Sequence, residues 1–253
     1  MPPIGTLLLV ALTMVLGSFV AGFTALGGGA VAFPVLTKVL GYSVYDARQF
    51  GVMIQSVGMT SASIYLLRTQ GFGLIDRTFL TYLAGSFIGA AFSFFALSLG
   101  AEALKLMFSV FIFTFATVNL FNLSFRLKVM EVVVLACGSL GGILSQNIGT
   151  GADGLFYMMA VLLFGWDTHR AVWQSVIVMA ATSIFITALN VLFAEISSLV
   201  FWSWVFAAPV VIFGAAFGAF MSRRVEAHVL KFALFFLASV ELTWTLTHRA
   251  GLI

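Results

Sequence analysis

Apolar runs long enough to cross a bilayer follow one another along this chain almost without relief, and this constrains the fold more than any motif. A hydrocarbon core about 30 Å thick takes about 20 apolar residues to cross as a helix. Runs of that kind occupy 5–25, 47–67, 78–99, 104–124, 129–148, 171–193, 199–221 and 228–247. They are apolar all round, whereas the strands of a membrane barrel alternate polar and apolar residues. Only 8% of the 253 residues are charged, against roughly a quarter in a soluble domain. No stretch between the runs is long enough for a soluble domain. The expectation is an all-α integral membrane protein with about eight full transmembrane helices.

Charge and cysteine usage exclude several classes. The net charge of +3 comes from Lys and Arg scattered between the spans, where they orient a membrane protein. The lipid bilayer is therefore an expected partner and nucleic acid is not. Cys137 is the single cysteine, and His169, His228 and His248 are dispersed. No metal, cofactor or catalytic set follows from that pattern, and the reading is of a non-enzyme. The first run has no basic residue before it, since the first Lys or Arg is Lys38, so it reads as a retained span and not a signal peptide.

The chain repeats itself at an offset of 124 residues (151 − 27). That register pairs Gly17 with Gly141, Gly27 with Gly151, Gly41 with Gly165, Ala47 with Ala171, and Glu102-Ala103 with Glu226-Ala227. Two pseudo-symmetric halves are expected, 1–124 and 125–253. Each contains a segment that span counting misses. Gly27-Gly28-Gly29 precedes an apolar stretch to Leu40 with Pro34 inside it, and Gly149-Thr150-Gly151-Ala152-Asp153-Gly154 precedes one ending at Phe164. From Gly29 to Leu40 a helix extends only about 18 Å, too short to cross comfortably and too apolar for a water-exposed loop. Two short broken helices are expected there, in matching positions, which is the sequence signature of a transporter binding site. Gly85-xxx-Gly89, Gly138-xxx-Gly142 and Gly214-xxx-Gly218 read instead as close helix packing.

Charge counting bears on how the short segments run. If each returns the chain to the face it came from, Arg68, Arg77, Arg126, Lys128, Arg170, Arg223, Arg224 and Lys231 share one face, against Lys38, Arg48, Lys105 and Arg249. This obeys the positive-inside tendency better than a seven-to-five division over eight simple spans. Five passes per half make the halves inverted repeats, with both termini outside.

The run Ala25-Leu-Gly-Gly-Gly-Ala-Val-Ala-Phe-Pro-Val-Leu36, followed by Gly41, resembles the glycine-glycine-glycine…proline motif of the sulfite exporter TauE/SafE family. The resemblance implies a multi-pass carrier in the prokaryotic plasma (inner) membrane, moving sulfite, an organosulfonate or a related sulfur-containing anion. A passive anion channel and a transporter of a small organic acid are the alternatives, and a homodimer is left open. The second half departs from the motif, with Gly151-Ala152-Asp153 where a triple glycine is expected and Met158 at the proline position.

A small anion at membrane depth needs hydrogen-bond donors, because an unpaired buried charge is prohibitively costly. The expected substrate-binding residues are Gly27, Gly28, Gly29, Gly149 and Gly151 of the two clusters, with Gln55, Ser56, Gln146, Asn147, Gln174 and Ser175 nearby in sequence. Gln55 and Gln174 are expected to meet at one site. A carboxylate inside hydrocarbon normally has a task, and Asp153 has two readings: a cap for the short helix, or a proton-coupling group. Lys38, Arg48 and Arg170 read as snorkelling cations, with Arg48 or Arg170 alternatively drawing anions into a vestibule.

Overall fold

The computed structural model describes residues 2–24, 28–97, 99–121 and 130–222, and beyond these only 224, 226, 228, 232, 235, 236, 238, 239, 242, 243 and 245–247. Gly27, Arg126, Lys128, Arg223, Lys231, Arg249 and most of the expected span 228–247 lie outside the described residues.

The described residues form helices joined by short turns, without a strand. The elements are α1 (Ile4–Phe23), α2 (Gly29–Pro34) running into a π-helical turn (Val35–Val39), α3 (Val44–Gln70), α4 (Arg77–Ala96) and α5 (Ala101–Phe121). Then come α6 (Glu131–Ile148), α7 (Ala152–Met158) running into a π-helical turn (Met159–Leu163), α8 (Thr168–Phe193) and α9 (Ser198–Met221). Six of these, α1, α3, α4, α6, α8 and α9, are long and apolar enough to cross a membrane. The expected span 104–124 is found as α5, which has 21 residues. The surface fits a lipid environment: Leu12, Leu16, Phe95, Phe213 and Leu192 are exposed, while Gln55, Ser145, Asp153 and Gln174 are buried.

The sequence offset has a backbone counterpart. Both π-helical turns begin 124 residues apart (159 − 35), and both end in a left-handed glycine, Gly41 at φ 68° and Gly165 at φ 64°. Tyr42 N–H reaches back six residues to the Leu36 carbonyl (2.9 Å), as Trp166 N–H does to Ala160 (3.0 Å). Pro34 lacks an N–H and could be held responsible for the first widened turn. Met158 stands at its counterpart and the turn widens there too, so proline is not the cause. Both following helices start on a side-chain cap, Ser43 accepting from Asp46 N–H and Asp167 from His169 and Arg170 N–H, which satisfies donors that a helix start leaves open.

Small residues set the packing. Helix α1 lies against α9, α4 against α6, and α3 against both α8 and α9. A side chain at Gly85, Gly89, Gly138 or Gly142 would strike the backbone of the facing helix at Leu135, Ser139, Tyr82 or Ser86 respectively. Gly218 meets the Phe19 carbonyl, and Gly214 the Ser18 hydroxyl, in the same way. These GxxxG pairs therefore pack helices. The α1–α9 and α4–α6 interfaces each join a helix from before residue 125 to one from after it, α1 to the third long helix of the later part and α6 to the third long helix of the earlier part.

Candidate functional site

The two glycine clusters meet. A β-carbon placed on Gly29, the first residue of α2, would lie 2.9 Å from Gln55 Nε2, 3.3 Å from the Gly149 carbonyl oxygen and 3.6 Å from Thr150 Cβ. Gln55 closes the junction by donating from Nε2 to the Gly149 carbonyl (2.7 Å). Two of the glycines have φ values that L side chains rarely adopt, Gly149 at 77° and Gly151 at 142°, so glycine there lets the chain leave α6 and turn at once into α7. Behind the junction each short helix leans on its own first helix. A β-carbon on Gly28 would lie 2.9 Å from the Gly17 carbonyl oxygen, and one on Gly141 would lie 3.0 Å from Ala152 Cα. These two contacts are related by the 124-residue offset.

Asp153 is wholly buried, and its Oδ1 accepts from Gly151 N–H (3.1 Å), Gly154 N–H (2.9 Å) and the Thr150 hydroxyl (3.3 Å). The carboxylate thus organises the turn that starts α7. Its counterpart under the offset is Gly29, where the second cluster and Gln55 occupy the space a side chain would need. That steric fact accounts for the break in the glycine pattern between the halves. Tyr82 of α4 fastens the same turn by donating to the Ala152 carbonyl (2.9 Å).

A cavity of about 500 Å³ opens beside this junction, lined by Tyr45, Arg48, Gln49, Ser93, Gln146 and Asn190 among others. It lies at the N-terminal end of α3 and the C-terminal ends of α4 and α8. Arg48 connects it to the junction, since a β-carbon on Gly149 would lie 3.3 Å from the Arg48 carbonyl oxygen. At the opposite ends of α4 and α8 polar side chains tie the two helix starts together. Arg170 Nη2 pairs with Asp76 Oδ2 at 2.8 Å, and Gln174 Nε2 donates to the Leu74 carbonyl and, at 3.4 Å, to Asp76.

The sulfite exporter TauE/SafE family model matches residues 9–241. The chain belongs to that family. Members are membrane transporters of sulfur-containing anions, and the chain is accordingly a multi-pass membrane transport protein. No curated protein and no solved structure matches it.

Within this TauE/SafE protein the expected site residues separate into three groups. Gly28, Gly29, Gln55, Gly149 and Gly151 are brought together at the junction, and Gln146 joins them through the cavity wall. Ser56 and Ser175 are not anion donors as they stand, because each hydroxyl donates to its own helix, at Met53 and Val172 (2.7 Å each). Asn147 is likewise engaged, donating to Ser93 Oγ (2.5 Å) and the Ile143 carbonyl (2.8 Å). Gln174 lies elsewhere. On α8, Met179 meets the end of α6 that leads into the second cluster, its sulfur taking a contact from Ser145 Oγ at 3.8 Å. Gln174 is five residues earlier (179 − 174), about 7.5 Å along the helix, and its amide is bonded at the Asp76–Arg170 end and not at the junction. The offset contained this correction, because it pairs Gln55 with Met179.

Sequence reasoning overlooked Thr150, Tyr82 and Asn190. Asn190 had the same signal as the glutamines, an amide inside an apolar run. Tyr82 had none, since a tyrosine in a membrane helix has an ordinary packing reading.

Proposed function

We propose that this protein is a secondary transporter that carries a small sulfur-containing anion across the plasma membrane, past the junction where Gly29, Gln55 and Gly149–Gly151 meet. The observation that carries the reading is the meeting of the two glycine-led segments beside a polar cavity. An irregular backbone at membrane depth is tolerated where it lines a cavity or is buried in protein. Glycines there let the two segments pack main chain against main chain, and the Gln146 and Asn190 amides on the neighbouring cavity wall bring donors without a buried charge of their own. The halves act as inverted repeats, boundaries 1–124 and 125–253, with the junction on their pseudo-two-fold axis.

A carrier must be closed at one end while open at the other. The cavity opens at the Arg48 end, and Asp76, Arg170 and Gln174 close the far end, about 30 Å away along the 20-residue α4. This arrangement favours a carrier over a passive channel. Asp153 is assigned a cap role, because an acceptor that holds two backbone N–H groups and a hydroxyl is already employed.

Flux of sulfite and of methanesulfonate into proteoliposomes tests the reading. Saturable, concentrative, gradient-dependent movement supports a carrier, whereas linear, gradient-independent movement supports a channel. Preference for a carboxylate over both sulfur anions would transfer the assignment to an organic-acid transporter.

A further inference from the structure

The polar lining of the cavity is one-sided with respect to the repeat. Arg48 and Gln49 come from the first half, Gln146 and Asn190 from the second. Under the 124-residue offset their counterparts are Val172, Trp173, Gly22 and Leu66. Val172, Gly22 and Leu66 have no side-chain donor, and Trp173 offers a single indole N–H in place of the Gln49 amide. Duplication alone therefore did not supply this lining; each half contributes its own polar groups to it.

Charge and pairing sharpen the point. Arg170, at the closed end, is neutralised by Asp76 and lies over the Trp166 ring at 4.7 Å. Among the described residues no carboxylate pairs with Arg48, whose guanidinium carbon sits 5.7 Å from the Tyr45 ring centroid. Two acids also line the cavity. Asp46 accepts from the hydroxyls of Ser43 (2.7 Å) and Ser197 (2.8 Å), and Glu195 is exposed. Gln146 is 4% exposed, and its Oε1 is buried without a partner. That oxygen is an acceptor and recruits no anion itself; what Gln146 offers an anion on the cavity wall is its Nε2 amide donor.

We infer that Arg48, with Gln146 and Asn190, forms an anion-recognition subsite in the cavity, one that selects for negative charge before the substrate reaches the glycine junction. The inference rests on the transport reading above and deepens it. Arg48 supplies the charge and a forked set of donors suited to the oxygens of a sulfite or sulfonate group. The amides supply orientation. Arg48 abuts Gly149 through its own main chain, so a bound anion is handed directly to the junction.

The test uses the full-length protein in lipid nanodiscs and proteoliposomes, with sulfite and methanesulfonate as probes and neutral dimethyl sulfone as the uncharged control. Arg48→Gln should raise the Kd and the flux KM for both anions about tenfold or more, as expected for the loss of a charge-assisted hydrogen bond. It should leave kcat within about threefold, because the junction is intact. Arg48→Lys should recover most of the affinity. Asn190→Leu, which installs the residue found at the repeat-related position, should also raise KM and guards against failure of the arginine variants to fold. Dimethyl sulfone should not compete. An unchanged KM in both Arg48→Gln and Asn190→Leu, with wild-type flux intact, overturns the subsite and leaves the transport reading standing. Wild-type protein that moves neither anion sinks the transport reading itself, and the subsite with it.

Discussion

The side-chain amide of Gln55 donates to the main-chain carbonyl of Gly149 across 2.7 Å, tying α3 of the first half to the glycine turn of the second. Gln55 is 3% exposed, so the bond is made out of reach of bulk solvent. Gln55→Leu leaves the Gly149 carbonyl unpaired and should cost about 1–3 kcal/mol of stability. Thermal unfolding in detergent measures that cost, and a parallel flux assay should register a loss of transport beyond the stability change.

Glycine substitutions separate packing from function at two adjacent positions. Gly28→Leu drives a side chain into the Gly17 backbone, which would have to shift, so loss of folded, monodisperse protein is expected. Gly29→Ala meets the mobile end of Gln55 at 2.9 Å and the Gly149 carbonyl at 3.3 Å. That variant should fold, with a destabilisation of roughly 1 kcal/mol, and should lose most of its transport. Size-exclusion profiles and flux on the same preparations check both statements.

Most of the architecture was legible because it rests on two coarse signals, apolar length and the 124-residue offset. The glycine clusters were legible because a glycine has a backbone reason to be where it is. Side-chain direction was not. Gln174 and Gln55 sit on matching helices with the same chemistry, yet a shift of five positions sends one to the junction and the other to the closed end. Ser56 and Ser175 could not be judged without knowing that their own helices offered carbonyls within reach.

Asp153→Asn distinguishes a cap from a proton-coupling group. An amide oxygen can accept from Gly151 N–H and Gly154 N–H nearly as a carboxylate does, so the cap account predicts a stability change under about 1 kcal/mol. It also predicts that any dependence of flux on a proton gradient survives. Loss of gradient-driven flux with counterflow exchange intact would instead make Asp153 the coupling group.

The Asp76–Arg170 pair is partly exposed, at 29% and 45% of the two side chains, so breaking it should change overall stability by no more than about 1 kcal/mol. Its consequence is expected in access. In a Cys137→Ser background, Asp76→Ala should increase labelling of a cysteine placed at Gln174 by a membrane-impermeant thiol reagent. The increase should come from the face that carries Arg68 and Arg77, which the positive-inside tendency predicts to be cytoplasmic. Labelling of a cysteine at residue 72 from outside intact cells would reverse that orientation.

A structure determined with methanesulfonate bound is the sharpest test of the proposed anion path. The account predicts density for the sulfonate group either at Arg48, Gln146 and Asn190 or in contact with Gly29, Gln55 and the Gly149–Gly151 turn, with the Asp76–Arg170 end closed. A sulfonate bound away from both the cavity and the glycine junction would contradict it.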